Sequence, residues 1–142
     1  MKTDELIEIF EFLDGWEERY RYLIDIGRKL PDMPDSDKIE ANRVRGCVSN
    51  VWMTSSLVQG DAHEGPVLEF LADSDAIIVK GLIAILLKLY SGQSARNVLA
   101  LDIGDIFGQI GLDGHLTVSR RNGFYSMVER INHEAQQALA NS

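Results

Sequence analysis

The chain has 142 residues, 45% of them hydrophobic and 25% charged, which are the proportions of one ordinary folded domain and exclude disordered or collagen-like structure. Fourteen Lys and Arg face 22 Asp and Glu, so the formal charge of −8 argues against a phosphate-backbone ligand. A single cysteine, Cys47, excludes an internal disulfide framework and any multi-cysteine zinc or iron–sulfur site within one chain.

Thr3 to Leu13 reads as a helix, with Leu6, Ile9, Phe10 and Leu13 on one face. This start is acidic and amphipathic, without the basic end and apolar run of a secretory signal. Asp14 has the position of an N-cap for a second helix, and Glu17 the position of its capping-box partner. Trp16, Tyr20, Leu23, Ile24 and Gly27 form the inward stripe of that helix, and Pro31 ends it by forcing Leu30 out of helical angles. Residues 1–40 hold twelve acids and six bases, which reads as solvated helix faces.

From Ala41 to Gly60 there is no acid, and the only charges are Arg43 and Arg45. Val51 to Val58 has strand character, with Val51, Met53 and Leu57 on one side. A loop from Gln59 to Pro66 leads to a second strand, Val67 to Ala72, and the two suggest an antiparallel hairpin. Asn42 to Gly46 is expected as a third strand beside it. Asp73-Ser74-Asp75 opens the most apolar helix, roughly Asp75 to Ser91, which is expected at the centre of the core with Gly92 as its C-cap. Its apolar run is broken by Lys80, Gly81 and Lys88 and falls short of the roughly 20 residues of a membrane span. Ser94 to Leu101 and Asp102 to Gly111 read as short helices. Thr117 or Ser119 caps the last, which reaches about Ala140 with Phe124, Met127, Val128, Ile131 and Ala135 buried. The expectation is a single α+β domain over residues 1–142, soluble and in a reducing cytoplasm.

No Walker-type loop, dinucleotide-binding glycine pattern or nucleophile-elbow serine is present, and His63, His115 and His133 lack metal-ligand spacing. No resident metal or cofactor is expected. The chemistry that remains is that of Cys47. Gly46 before it allows a tight turn, the position reads as a loop, and Arg43 and Arg45 are expected to favour its thiolate over the thiol, whose usual pKa is ~8.5.

These residues carry a family resemblance. Trp16-Glu17-Glu18-Arg19-Tyr20, Val44-Arg45-Gly46-Cys47-Val48-Ser49-Asn50-Val51-Trp52, Ala72-Asp73-Ser74-Asp75-Ala76 with Ile78-Val79-Lys80-Gly81-Leu82, and His115-Leu116-Thr117-Val118-Ser119-Arg120 with Asn122-Gly123 stand in the order found in SufE proteins. The chain resembles that family, of which CsdE is a close paralogue, from about Phe10 to Ala138. Val48 stands where a polar residue is common and Val118 where Pro is common.

The resemblance implies an α+β fold with a small antiparallel sheet of about three strands flanked by helices, SufE/NifU-like. It implies that Cys47 accepts sulfur from the persulfide of a pyridoxal-phosphate cysteine desulfurase, of SufS or CsdA type, activates that enzyme and passes the sulfur to an iron–sulfur cluster scaffold. Arg45, Asp75, His115 and Arg120 are candidate residues around the thiol or the partner interface, and a homodimer is possible in this family plan. Burial by Val48, Val51 and Trp52 is expected to shelter a persulfide. Two rival readings are a docking-only regulator of a desulfurase with an inert Cys47, and a free-standing thiol enzyme with His115 as base.

Overall fold

The computed structural model describes residues 2–58 and 65–141. His63 and all but the last two residues of the Gln59–Pro66 loop lie outside them. The first helix, α1, is Lys2–Phe12, and its buried face holds Leu6 and Phe10 as the periodicity requires. The second, α2, is Gly15–Arg28. Asp14 precedes it in extended conformation, but its side chain makes no cap hydrogen bond. Instead its backbone N–H donates to Glu18 Oε2 at 2.7 Å. Gly15 has φ +79°, which delays the helical run by one residue, so Glu18 takes the place expected of Glu17. The helix stops at Arg28, where the N–H groups of Lys29 and Leu30 fold back on the carbonyls of Ile26 and Gly27.

Strand β1 (Val51–Val58) and strand β2 (Val67–Ser74) pair antiparallel, from Val51 opposite Ser74 to Val58 opposite Val67. The third strand is not Asn42 to Gly46. It is β3, Gln93–Ser94, on the far side of β2, giving the order β1-β2-β3. Asn42 to Gly46 contributes one bridge, Arg43 opposite Trp52, with the Val44 N–H donating to the Val51 carbonyl at 2.8 Å. A 3-10 turn over Glu40–Asn42 ends just before it, and Gly46 at φ +90° turns the chain away just after it. Only Arg43 and Val44 are therefore free to run beside β1. Val51 and Met53 are buried, whereas Leu57, expected on the same side, is exposed.

Helix α3 (Ile77–Tyr90) starts two residues later than expected and is the centre of the core, with Ile78, Leu82, Ile83, Ile85 and Leu86 almost fully buried. Gly92, at φ +79°, follows its cap Ser91 and donates its N–H to the Leu68 carbonyl at 2.8 Å. The backbones of α2 and α3 meet at glycines. A Cβ on Gly27 would lie 2.7 Å from the Gly81 nitrogen, and one on Gly81 would overlap the Leu23 carbonyl. Two short helices follow: α4 (Ala95–Ala100), capped by Ser94, and α5 (Ile103–Gln109), capped by Asp102. The last helix, α6 (Val118–Ala140), is capped by Thr117, whose hydroxyl accepts the Arg120 N–H at 3.2 Å, so Val118 in place of Pro leaves the cap intact. Phe124 of α6 stacks on Phe107 of α5 with ring centres 4.2 Å apart, anchoring the first half of α6 over the core. Among the described residues no helix is long and apolar enough to cross a membrane.

Candidate functional site

The left-handed turn at Gly46 lifts Cys47 off the end of the Arg43–Val44 segment and lays it against α6. A side chain at Gly46 would clash with the Ser126 hydroxyl, so the turn needs glycine for its close approach as well as for its φ. Cys47 is half-buried, and its thiol donates to the Gly123 carbonyl at 3.5 Å. Its sulfur lies in the wall of a cavity of about 290 Å³. Val51, Val79, Leu82, Phe124 and Met127 supply apolar surface to that cavity. Val48, Ser49, Thr117, Ser119 and Arg120 supply the rest of its lining.

Burial pushes the thiol above its ordinary pKa, and the charge of Arg43 pulls it down without cancelling the shift. The expectation of a thiolate favoured by two arginines is therefore overturned. Removing half the thiol's solvent shell destabilises the anion more than one cation stabilises it. Arg43 is also compensated, since its guanidinium lies 3.8 Å from Glu40, an acid just outside the acid-free stretch of sequence. Arg45 points away, largely exposed and 4.0 Å from Glu40.

Of the other sequence candidates, Arg120 lines the cavity. Asp75 lies just before α3, outside the helix it was expected to open, and acts at the thiol loop's far end. Its carboxylate accepts from the Asn50 backbone N–H at 3.2 Å and from Asn50 Nδ2 at 2.8 Å. Cys47 thus sits on a short loop fastened before it by the Arg43–Trp52 bridge and after it by the Asn50–Asp75 clip. His115 lies elsewhere: its ring stacks on Trp16 at 4.6 Å, 10° from parallel, and does not line the cavity. Trp52 does not shelter the thiol either. It lies opposite Asp73 in the sheet, with Lys38 Nζ over its ring at 5.7 Å. Val48 is 82% exposed at the cavity mouth, while Val51 is fully buried behind it.

Sequence reasoning passed over Asp73 as a helix cap. It is buried, and its carboxylate pairs with Lys38 at 3.2 Å and Lys80 at 3.4 Å while accepting the Ser74 N–H at 2.8 Å. Burial opposes its ionisation, but those three donors prevail and hold its pKa below the usual carboxylate value. The cluster ties the segment ahead of the thiol loop to the end of β2 and to α3. The part of Gly123, Phe124 and Met127 in the cavity was equally hidden, because nothing in local sequence brings them to Cys47. Among the described residues no group of three or more His, Cys, Asp or Glu is placed to hold a metal ion.

Comparisons with known proteins bear on the fold and the family. Over 98% of its length the chain superposes on a protein of Thermus thermophilus, titled only as hypothetical, with TM-score 0.77 at 24% identity and 96% of that chain covered. It is 48% identical over 136 residues to an uncharacterized SufE-like protein of Rhizobium meliloti strain 1021, covering 96% of both chains. It is 47% identical over 137 residues to one of Rhizobium etli, covering 96% of this chain and 91% of that one. Residues 4–135 match the family model described as SufE, an Fe-S metabolism associated domain, and the chain belongs to the SufE family.

Proposed function

We propose that this protein is a sulfur carrier and activator for a pyridoxal-phosphate cysteine desulfurase of SufS or CsdA type. The observation that carries the reading is the position of Cys47, the chain's only cysteine, half-buried in the wall of a cavity with room beside its sulfur. The Cys47 thiolate attacks the outer sulfur of a persulfide on the desulfurase. The sulfur–sulfur bond there breaks, the desulfurase cysteine leaves as a thiolate, and the outer sulfur is now bonded to Cys47. Unloading the enzyme in this way is what activates it. The sulfur then passes to a cluster scaffold by the same exchange.

The absence of a second cysteine supports this role, because a neighbouring thiol would attack the persulfide, close a disulfide and release sulfide. The apolar part of the cavity supports it too, since it keeps water and reductants from a bound sulfur. The raised thiol pKa sets a condition: Cys47 becomes nucleophilic when its loop leaves α6, so attack is coupled to docking.

The test is mass spectrometry of the protein after incubation with a desulfurase and cysteine. Sulfur atoms are gained on the peptide holding Cys47 and on no other, and Cys47→Ser gains none. A second reading, docking without sulfur transfer, draws on the same raised pKa. It is upheld if Cys47→Ser stimulates sulfide release by the desulfurase as well as the parent does.

A further inference from the structure

We propose that the outer edge of β1 is a homodimer interface, where the second half of the strand pairs antiparallel with the same segment of a second copy and joins the two sheets into one. The inference does not depend on what Cys47 carries.

Hydrogen bonds on both sides of the hairpin fix which way the backbone groups of β1 point. The Val51 carbonyl accepts from the Val44 N–H, on the side away from β2. Backbone groups alternate sides along a strand, so Ser55 and Leu57 also turn their N–H and C=O groups away from β2. The hydrogen bonds of β2 agree. Its Leu68 carbonyl accepts from Gly92 and its Phe70 N–H donates to the Ser91 hydroxyl, both on its far side, which leaves the residues between them to face β1. The Arg43–Val44 segment covers the outer edge of β1 only near Trp52. Beyond it, Ser55 to Val58 are all exposed, and among the described residues no strand pairs with them there.

A folded protein ordinarily guards such an edge with a charge, a proline, a bulge or a very short strand. β1 has none of these. It is eight residues long, without a charged residue or a proline, and it pairs with β2 one to one from end to end, without a bulge. The opposite edge of the sheet is guarded, because β3 is only two residues long. One open edge and one guarded edge allow pairing that closes at two copies instead of continuing into a fibre.

β1 is a fitting partner for itself. With Ser56 opposite the partner's Ser56, each Ser55 faces the partner's Leu57, and the four outward-turned residues exchange four hydrogen bonds. Leu57 and Val58, 60% and 42% exposed, lose water in the same step. The chain's charge of −8 opposes association, but little of it acts here. Glu134, which accepts the Ser55 hydroxyl, is paired with Arg130 at 3.1 Å. Glu69, opposite Ser56 in β2, comes three strand spacings from its copy, roughly 14 Å, which exceeds the ~8 Å screening length of physiological salt.

Sedimentation velocity over a range from low micromolar to near-millimolar protein tests this. The mass of the parent is expected to rise with concentration toward that of two chains. Ser55→Pro removes an N–H that bonds only across the interface, and Leu57→Lys sets a cation on each side of it. Each variant is expected to weaken association at least tenfold while keeping the parent's far-ultraviolet spectrum. Should Ser55→Pro fail to fold, the exposed Leu57→Lys decides alone. The register is checked in a Cys47→Ser background. Ser56→Cys brings two thiols together in a pair whose Cα atoms lie ~4.5 Å apart, within disulfide reach, whereas Ser55→Cys leaves them two residues out of step and beyond it. Mild oxidation is expected to link the first into a dimer and leave the second monomeric. A parent that stays monomeric throughout, a dimer that survives Leu57→Lys, or equal crosslinking of the two cysteine variants overturns the proposal.

Discussion

The Gly123 carbonyl accepts the thiol proton of Cys47 at 3.5 Å, joining the cysteine to a helix 76 residues further along the chain. Only the protonated sulfur can donate this bond, so both the contact and the half-burial favour the neutral thiol over the anion.

The sign of the pH dependence follows. A thiol whose pKa is raised is protonated at neutral pH, and its reactivity grows only as pH climbs past the ~8.5 of a free cysteine. Alkylation of Cys47 by iodoacetamide is therefore expected to reach half its maximal rate above that pH. Arg43→Gln removes the one cation that lowers the pKa and moves the midpoint further up, whereas Arg45→Gln leaves it in place because Arg45 points to solvent. The measurement is alkylation rate against pH for the three proteins.

Asp75→Ala removes the two side-chain hydrogen bonds to Asn50, keeps the backbone bond from the Asp75 N–H to the Asn50 carbonyl, and so loosens the far end of the thiol loop. Each such bond contributes about 0.5–1.5 kcal/mol, so losing two costs about 1–3 kcal/mol, the loop opens more often and Cys47 alkylation at fixed pH rises by about 5-fold to about 150-fold. Thermal melting of the same variant checks that global unfolding does not cause the rise.

Asp73→Asn is expected to weaken the protein at neutral pH and flatten its acid denaturation. The folded carboxyl has a lowered pKa, despite burial, through Ser74, Lys38 and Lys80. The stability it gives is complete above its unfolded value of ~3.9 and disappears as pH falls through the folded value. Denaturant midpoints between neutral pH and the acid limit, for parent and variant, decide this.

Gly27→Ala places a methyl group 2.7 Å from the Gly81 nitrogen, where backbone and not a flexible side chain must give way. Overpacking of this kind costs about 1–3 kcal/mol, with a loss in Tm of about 4 °C for each kcal/mol. A Tm unchanged from the parent would mean that α2 and α3 separate freely.

Local pattern was a good guide wherever local forces decide the outcome. The stripes of α1 and α6, the hairpin of β1 and β2, the short helices after Ser94 and Asp102 and the cap Thr117 lie where periodicity and capping chemistry place them. The misjudged elements are those settled by contacts distant in sequence. Residues Gln93 and Ser94 are a strand only because β2 has a free edge there, and Asn42 to Gly46 is not one because Gly46 must reach Ser126. Cys47 and Arg120 were legible as candidates. The balance of burial over charge at the thiol was not, because it depends on how closely Gly123 and Phe124 approach a loop formed much earlier in the chain.

That separation has a consequence for the order of events at the ribosome. Cys47 is made 76 residues before Gly123, an interval of roughly 4–15 s at ordinary rates of translation. During that time the nascent thiol has no wall around it and is open to oxidants and stray electrophiles, with irreversible sulfinic or sulfonic acid as the end point. Protection arrives only when the segment that forms α6 emerges and settles into place.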